Sequence, residues 1–98
     1  MISATKMRIA ILGASGIGRV HARIFHEAGA DVCAVLGSSI ESAKNTSIKL
    51  KDLYGINSQP YHCLDTLLEE VRPNAVSICT PPQFHFEEII AAFEKQIA

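Results

Sequence analysis

The fold of this chain is decided by residues 9–18, which read IAILGASGIG. The apolar run stops at a glycine cluster, and a pattern of helical spacing begins directly behind it. This layout predicts a strand, a tight turn and a helix N-terminus, the arrangement with which dinucleotide-binding folds hold pyrophosphate. The first N–H groups of a helix have no partners, and the helix dipole favours an anion there by about 0.3–1 kcal/mol.

The glycine pattern departs from both common forms of the dinucleotide-binding motif. Read as G-x-G-x-x-G, its outer positions are Gly13 and Gly18, and Ser15 takes the middle one. Read as G-x-x-G-x-x-G, Gly13 and Gly16 fit and Arg19 occupies the third position. A turn with a purely structural role is the alternative, because any tight turn uses glycine. The strand and helix on either side favour nucleotide binding.

Strands and helices alternate along the whole chain. The predicted strands are residues 8–12, 31–36, 60–62 and 75–79, and the predicted helices begin near residues 17, 41, 65 and 83. The second and fourth strands are apolar on both faces, as expected of a parallel sheet covered by helices. The order βαβαβαβα therefore predicts an α/β fold, a doubly wound, Rossmann-like parallel sheet of about four strands with helices on both faces.

Apolar side chains at helical spacing predict the inner face of the first helix. The residues on that face are Ile17, Val20, Ile24, Phe25 and Ala28. His21 lies within the stripe, which leaves open a packed core histidine or a cofactor contact. Near the chain end, Glu87 and Glu88 are expected to be solvated or to interact favourably with the dipole of a helix.

Length and composition limit the classes of protein. The 98 residues, 48% of them hydrophobic, predict one globular domain over residues 1–98. The net charge of −1 with scattered basic residues gives no case for nucleic acid, and no apolar run reaches the length of a membrane span. Residues 1–6 are too short and polar for a secretion signal.

The three cysteines indicate a reduced protein without a metal site. Cys33, Cys63 and Cys79 are widely spaced, and no Cys or His pair has the spacing of metal ligands. Cys33 and Cys79 fall in predicted buried strands, where cysteine acts as a small apolar side chain. A reduced state favours a cytoplasmic location.

Two further motifs give the chain a resemblance to a known family. Residues 18–21, GRVH, extend the glycine turn with a histidine, and residues 75–85 read AVSICTPPQFH. Together they resemble the G-x-x-H extension and the strand ending in T-P-(N/P)-x-x-H of the Gfo/Idh/MocA oxidoreductases. The resemblance runs from about Lys6 to Ile97. It implies an NAD(P)-binding N-terminal domain of a sugar- or cyclitol-type dehydrogenase.

The resemblance also implies which residues bind the cofactor. Gly13 would shape the turn, and the N–H groups of the segment from Ser15 to Gly18 would meet the pyrophosphate. The full set of expected cofactor contacts is Gly13, Ser15, Gly16, Ile17, Gly18, Ser38, Ser39, Thr80, Pro81 and His85. His85 follows a Pro-Pro turn at the carboxyl end of a strand and would lie near the nicotinamide, with an exposed histidine at a helix start as the alternative.

The resemblance implies that the catalytic residues lie elsewhere. In this family an E-K-P segment supplies the catalytic lysine, and a second α/β domain supplies the substrate pocket. Residues 94–96, EKQ, are not that segment, because they lie ahead of the expected fifth strand. We therefore expect a domain truncated before its fifth strand, inactive by itself, that belongs to a longer and homo-oligomeric enzyme.

The end of the second strand bears on the choice of cofactor. NAD-binding folds place an acid there to accept from the ribose 2′-OH, but residues 36–39 read LGSS. Asp31 begins the strand, roughly 16 Å from that end. Without the acid, a 2′-phosphate escapes a repulsion of about 1–4 kcal/mol, and the hydroxyls of Ser38 and Ser39 could contact it. This charge balance favours NADP, with NAD as the alternative.

Two other functions fit parts of the pattern. A non-catalytic dinucleotide-sensing or interaction module could use the same half-fold. The residues GASG at 13–16 also suggest the NADP domain of a semialdehyde-dehydrogenase-like enzyme. His21 and the Thr80-Pro81 turn argue against the second of these.

Overall fold

The structure is a computed structural model that describes residues 6–13 and 16–98. Ser15, an expected phosphate contact, lies outside the described residues. The strands are β1 (Arg8–Leu12), β2 (Asp31–Leu36), β3 (Gln59–Tyr61) and β4 (Ala75–Ile78). The helices are α1 (Ile17–Glu27), α2 (Ile40–Tyr54), α3 (Leu64–Val71) and α4 (His85–Glu94), with a short 3-10 turn at Pro82–Phe84.

The four strands form one parallel sheet in the order β3-β2-β1-β4. Ile11 of β1 lies opposite Val35 of β2 on one side and Ser77 of β4 on the other. The chain therefore builds the sheet outward to β3 and then returns to the far side of β1. This reversal creates a crevice at the carboxyl ends of β1 and β4, where open α/β sheets bind ligands. The predicted doubly wound, Rossmann-like fold is confirmed.

Two hydrophobic cores cover the two faces of the sheet. The first packs Ile11 and Val35 against Phe25 of α1 and Leu50 of α2. The second includes side chains from β1, β2 and α3, with a partly buried residue of α4: Leu12, Leu36, Leu67, Leu68 and Ala91. Helices α1 and α2 thus lie on one face, and α3 and α4 lie on the other.

An irregularity in β2 gives one core two buried residues from adjacent positions. Ile9 pairs with Val32 and Ala10 pairs with Ala34, so Cys33 is an extra residue in the ladder. Cys33 and Ala34 consequently join the same core. The thiol of Cys33 donates to the carbonyl oxygen of Ile9 at 3.5 Å. Burial raises the pKa of this thiol, as befits a small apolar side chain in the core.

The predicted inner face of α1 is wrong by about one residue. Ile17, Val20 and Ile24 are exposed by 58%, 43% and 51%, whereas Gly18 and Ala22 are buried. The turn before α1 brings Gly18 against the backbone, which rotates the helix so that its small residues face the sheet. Apolar spacing located the helix but did not identify the side that packs.

Some element boundaries also differ from the prediction. Strand β3 begins one residue earlier than predicted, and β4 ends at Ile78 instead of Cys79. Helix α4 begins at His85, two residues later than predicted, and ends at Glu94, since Gln96 takes a φ of 58° and the chain turns away. The N–H of Ile97 then reaches the carbonyl of Ala92 at 2.9 Å.

Candidate functional site

A cavity of about 460 Å³ lies at the carboxyl ends of the central strands. Gly13 follows β1, Ser38 follows β2, and Thr80 and Pro81 follow β4, and all four line it. The sheet order explains this convergence, since β2 and β4 flank β1 on opposite sides. Four expected cofactor contacts that are separated in sequence therefore meet at one crevice.

Gly13 sits where a side chain would not fit. Its φ is +81°, and an added Cβ would lie 2.8 Å from Cγ2 of Thr80 and 3.0 Å from the backbone of Cys79. Its N–H donates to the carbonyl of Leu36 at 2.9 Å. The glycine thus lets the turn after β1 lie against the ends of both neighbouring strands.

Gly16 and Gly18 have different roles in the start of α1. Close packing requires glycine at position 18, because an added Cβ would lie 2.2 Å from the carbonyl oxygen of Gly13. Backbone conformation favours glycine at position 16, where φ is 58° and ψ is −117°. An added Cβ there would meet nothing within 4 Å. That open space in front of the helix is what an approaching anion requires.

Among the described residues, no side chain caps the backbone N–H groups in the first turn of α1. The helix has 11 residues, carries no acidic side chain in its first turn and has no side-chain cap at Gly16. Ile17, whose side chain is 58% exposed, belongs to this first turn. Uncapped N–H groups at a helix start, together with the dipole, favour an anion.

The two serines after β2 are placed differently. Ser38 lines the cavity, whereas Ser39 is the N-cap of α2 and its Oγ accepts from the N–H of Ser42 at 3.1 Å. Gly37 brings the start of α2 close, because an added Cβ would lie 2.8 Å from the backbone nitrogen of Ala43. Asp31 lies opposite Arg8 in the register of β1 and β2, at the other end of the strands. No described residue at the carboxyl end of β2, residues 36–39, is acidic.

The turn after β4 is tied together by two side-chain hydrogen bonds. The hydroxyl of Thr80 donates to the carboxylate of Glu88, and Nε2 of His85 lies 2.6 Å from the carbonyl oxygen of Thr80, to which it donates. His85 is half-buried and lies outside the lining of the cavity, so in this structure its ring braces the turn.

The sequence reasoning missed the burial of Glu88. This residue was expected to be solvated, but only 6% of it is exposed, and it lines the cavity. Its position in the first turn of α4, whose start folds over the Pro-Pro turn, places it against Thr80. The spacing of eight residues between the two is not a known motif, so no sequence signal indicated the contact.

A second cluster lies beneath the turn, where β4 meets α1. Nδ1 of His21 lies 3.2 Å from Oγ of Ser77 and 3.5 Å from Sγ of Cys79. The ring also contacts Phe25 edge-on, with centroids 6.4 Å apart. Cys79 is half-buried and lines the cavity, whereas His21 does not. The structure therefore favours the packing role of His21 over direct contact with a ligand.

Two exposed or edge groups elsewhere have shifted pKa values. A hydrogen bond from the side chain of Thr66 lowers the pKa of the Cys63 thiol. Desolvation, followed by the neighbouring carboxylate of Glu70, raises the pKa of Tyr61, whose hydroxyl donates to that carboxylate at 3.0 Å. Neither residue lines the cavity. All three cysteines are free thiols.

The fold and the crevice together define a dinucleotide-binding domain of the Rossmann type. Residues 7–98 match the model of the Gfo/Idh/MocA group, described as an oxidoreductase family with an NAD-binding Rossmann fold. The chain belongs to this family, as the sequence resemblance predicts. This membership sets aside the semialdehyde-dehydrogenase-like alternative.

Individual relatives are dehydrogenases and related oxidoreductases. The chain is 30% identical over 95 residues to D-glucoside 3-dehydrogenase of Escherichia coli (strain K12), covering 95% of this chain and 26% of that protein. It is 26% identical to UDP-N-acetylglucosamine 3-dehydrogenase from Acidithiobacillus ferrooxidans, with a TM-score of 0.76 and coverage of 96% and 28%. An NAD-binding oxidoreductase from Klebsiella pneumoniae shares the fold, with a TM-score of 0.82, 19% identity and coverage of 95% and 26%.

The chain spans about a quarter of the length of these relatives. In the part of the chain that the structure describes, no helix is both long and apolar enough to cross a membrane.

Proposed function

We propose that this chain is the cofactor-binding part of a dehydrogenase that transfers hydride between a nicotinamide cofactor and a hydroxyl group of a sugar or cyclitol. The family match over residues 7–98 carries this proposal. Support for the substrate class comes from two relatives named as acting on a glucoside and on a UDP-linked amino sugar.

The geometry around the cavity supports the following roles. In this proposal the start of α1, from Gly16 to Gly18, holds the pyrophosphate, and Ser15, outside the described residues, is a further expected phosphate contact. Gly13 keeps the turn open to the phosphates, and Ser38 contacts the adenosine ribose or its 2′-phosphate. Thr80 and Pro81 form the opposite wall of the crevice.

Ser39 and His85 complete the proposed site indirectly. Ser39 holds the start of α2, and through it the position of Ser38, by its hydrogen bond to Ser42. His85 holds the turn after β4 by its bond to the carbonyl of Thr80 and, as the family resemblance implies, lies on the nicotinamide side. Both are therefore positioning residues in this proposal.

The catalytic residues of the whole enzyme are proposed to lie outside these 98 residues. The chain covers 26% of its glucoside-dehydrogenase relative, which leaves room for a substrate domain. A fifth strand beside β4 is supported by two backbone bonds, from Ala98 N–H to Asn74 at 3.2 Å and from Val76 N–H to Ala98 at 2.7 Å. This is the pattern of a parallel ladder. The same proposal includes a homo-oligomeric enzyme in the cytoplasm, where its three thiols stay reduced.

The end of β2 is proposed to favour NADP over NAD. A carboxylate at this end would accept from a free 2′-OH and repel a 2′-phosphate. Ser38 offers a neutral hydroxyl there instead, and it lines the cavity.

Fluorescence titration of the chain with NADPH and NADH tests two parts of this proposal, namely that the chain binds the cofactor and that it prefers NADPH. Ser38→Asp should weaken NADPH binding by about tenfold, because it restores the missing negative charge. Asn57→Asp is the matched control, since it adds the same charge at an exposed position near Asp31, away from the cavity.

The outcomes distinguish failure of the cofactor preference from failure of cofactor binding. Binding of NADPH and NADH with no change of preference in Ser38→Asp would contradict the cofactor assignment alone. Failure of the folded chain to bind either cofactor would contradict its role in cofactor binding.

A further inference from the structure

Glu88 places a carboxylate inside the cavity where no cation balances it. Only 6% of the residue is exposed, and it is the one charged side chain among the described residues that line the cavity. One of its oxygens accepts from the hydroxyl of Thr80. A buried carboxylate needs more than one donor, because each ionised group has several acceptor positions.

The second oxygen of Glu88 has no hydrogen-bond donor among the described residues, in which Thr80 donates to Oε1. No buried polar side-chain atom of the described part lacks a partner, so this oxygen keeps accessible surface. Glu88 is one of the residues that line the cavity, which makes this oxygen the candidate contact for a ligand there.

The surroundings of Glu88 suit a flat, largely apolar group that carries a donor. Leu36, Ala43, Pro81 and Phe84 contribute apolar surface to the cavity, and the ring of Phe84 is half-exposed. A slot with apolar walls and one acceptor fits an aromatic heterocycle with an amino group. An anion at the same place would be repelled by the carboxylate.

We propose that Glu88 accepts a hydrogen bond from the exocyclic amino group of the cofactor's adenine and so selects adenine over hypoxanthine. This inference rests on the proposed function, in which the pyrophosphate lies at the start of α1 and the ribose lies at Ser38. The base then extends from the ribose across the cavity to Glu88, whereas His85, which lies outside the cavity lining, is on the other side of the turn after β4. Glu88 lies on the other side of β1 from Ser38.

Calorimetric titration with NAD⁺ and with nicotinamide hypoxanthine dinucleotide tests the inference. The analogue has a carbonyl in place of the amino group, so at that position it presents an acceptor to the carboxylate, and the N–H that it gains at N1 lies on the neighbouring ring atom. We expect the unmodified chain to prefer NAD⁺ by about tenfold or more, as for other hydrogen bonds to charged groups. Glu88→Gln should remove or reverse this preference, because an amide can donate to the carbonyl.

Glu87→Gln is the matched control, since it removes the same charge from an exposed neighbour on α4. It should leave the preference unchanged. Equal affinity of the unmodified chain for both ligands would overturn the inference while leaving the proposed function in place. A Glu88→Gln variant that remains folded and loses both ligands equally would also overturn it, by assigning Glu88 to the ribose or the turn. If Glu88→Gln does not fold, the preference of the unmodified chain decides alone. Absence of binding to NAD⁺, to the analogue and to NADP⁺ would contradict the proposed function itself.

Discussion

Gly18 is the residue at which the turn and the first helix meet most closely. Gly18→Ala would place a Cβ 2.2 Å from the carbonyl oxygen of Gly13, and the backbone would have to shift. We expect a loss of about 1–3 kcal/mol in the free energy of unfolding, as in other overpacked sites. Urea denaturation measures it. Arg23→Ala, an exposed change on the same helix, should stay within about 0.5 kcal/mol, and an equally small effect for Gly18→Ala would contradict the packing described.

The three thiols should react in a fixed order. Cys63 is exposed and its pKa is lowered by the hydrogen bond from Thr66, so it carries more thiolate at neutral pH and should be alkylated first. Cys33 is buried with a raised pKa and should be alkylated last. Timed alkylation followed by peptide mass spectrometry gives the order.

The same experiment examines the cavity. A bound dinucleotide should protect Cys79, which lines the cavity, and leave the rate at Cys63 unchanged. Equal protection of both thiols, or none at Cys79 under saturating cofactor, would place the ligand elsewhere.

Individual buried polar residues were the least predictable part of the site. Gly13, Ser38, Thr80 and Pro81, which the family resemblance and the predicted strand ends single out, all line the cavity. Glu88 could not be singled out, because its burial depends on how the start of α4 folds over the turn after β4. Such contacts depend on tertiary packing that no local pattern encodes.

At the scale of elements, the two adjacent serines have different roles, because Ser39 caps α2 and Ser38 lines the cavity. Ser39→Ala removes the acceptor for the N–H of Ser42 and should reduce the free energy of unfolding by about 1 kcal/mol. Ser38→Ala should leave stability nearly unchanged, because Ser38 does not cap the helix, and should instead weaken NADPH binding. Chemical denaturation of both variants measures the change in stability, and cofactor titration measures the change in NADPH affinity. Equal destabilisation by both would contradict the assigned cap.

Element type and order were predictable, whereas the orientation of α1 was not. Continuous apolar strands and regular alternation define a parallel sheet covered on both faces. The inner face of α1 was misassigned because the close packing of Gly18 and Ala22 outweighs the burial of Ile17, Val20 and Ile24. A stripe of large apolar residues indicates burial only when no closer backbone packing competes with it.

At the scale of the whole molecule, the reversal of strand order places the site. Sheet order β3-β2-β1-β4 leaves a crevice at the carboxyl ends of the strands on either side of β1. The glycine turn, the end of β2 and the turn after β4 meet there. Fold class and crevice follow from the βα alternation, but the shape of the cavity depends on how far α2 and α4 close over it.

The most direct measurement is calorimetric titration of two glycine variants with NADPH and NADH. Gly16 and Gly29 both have positive φ and open space around an added Cβ, but only Gly16 precedes α1. Each change to alanine should cost about 1–3 kcal/mol of stability, because both glycines have positive φ. If the start of α1 holds the cofactor phosphates, Gly16→Ala will lower affinity by at least about tenfold, because its methyl group occupies the approach, and Gly29→Ala will not. Unchanged binding in a folded Gly16→Ala variant would contradict the phosphate cradle at this turn.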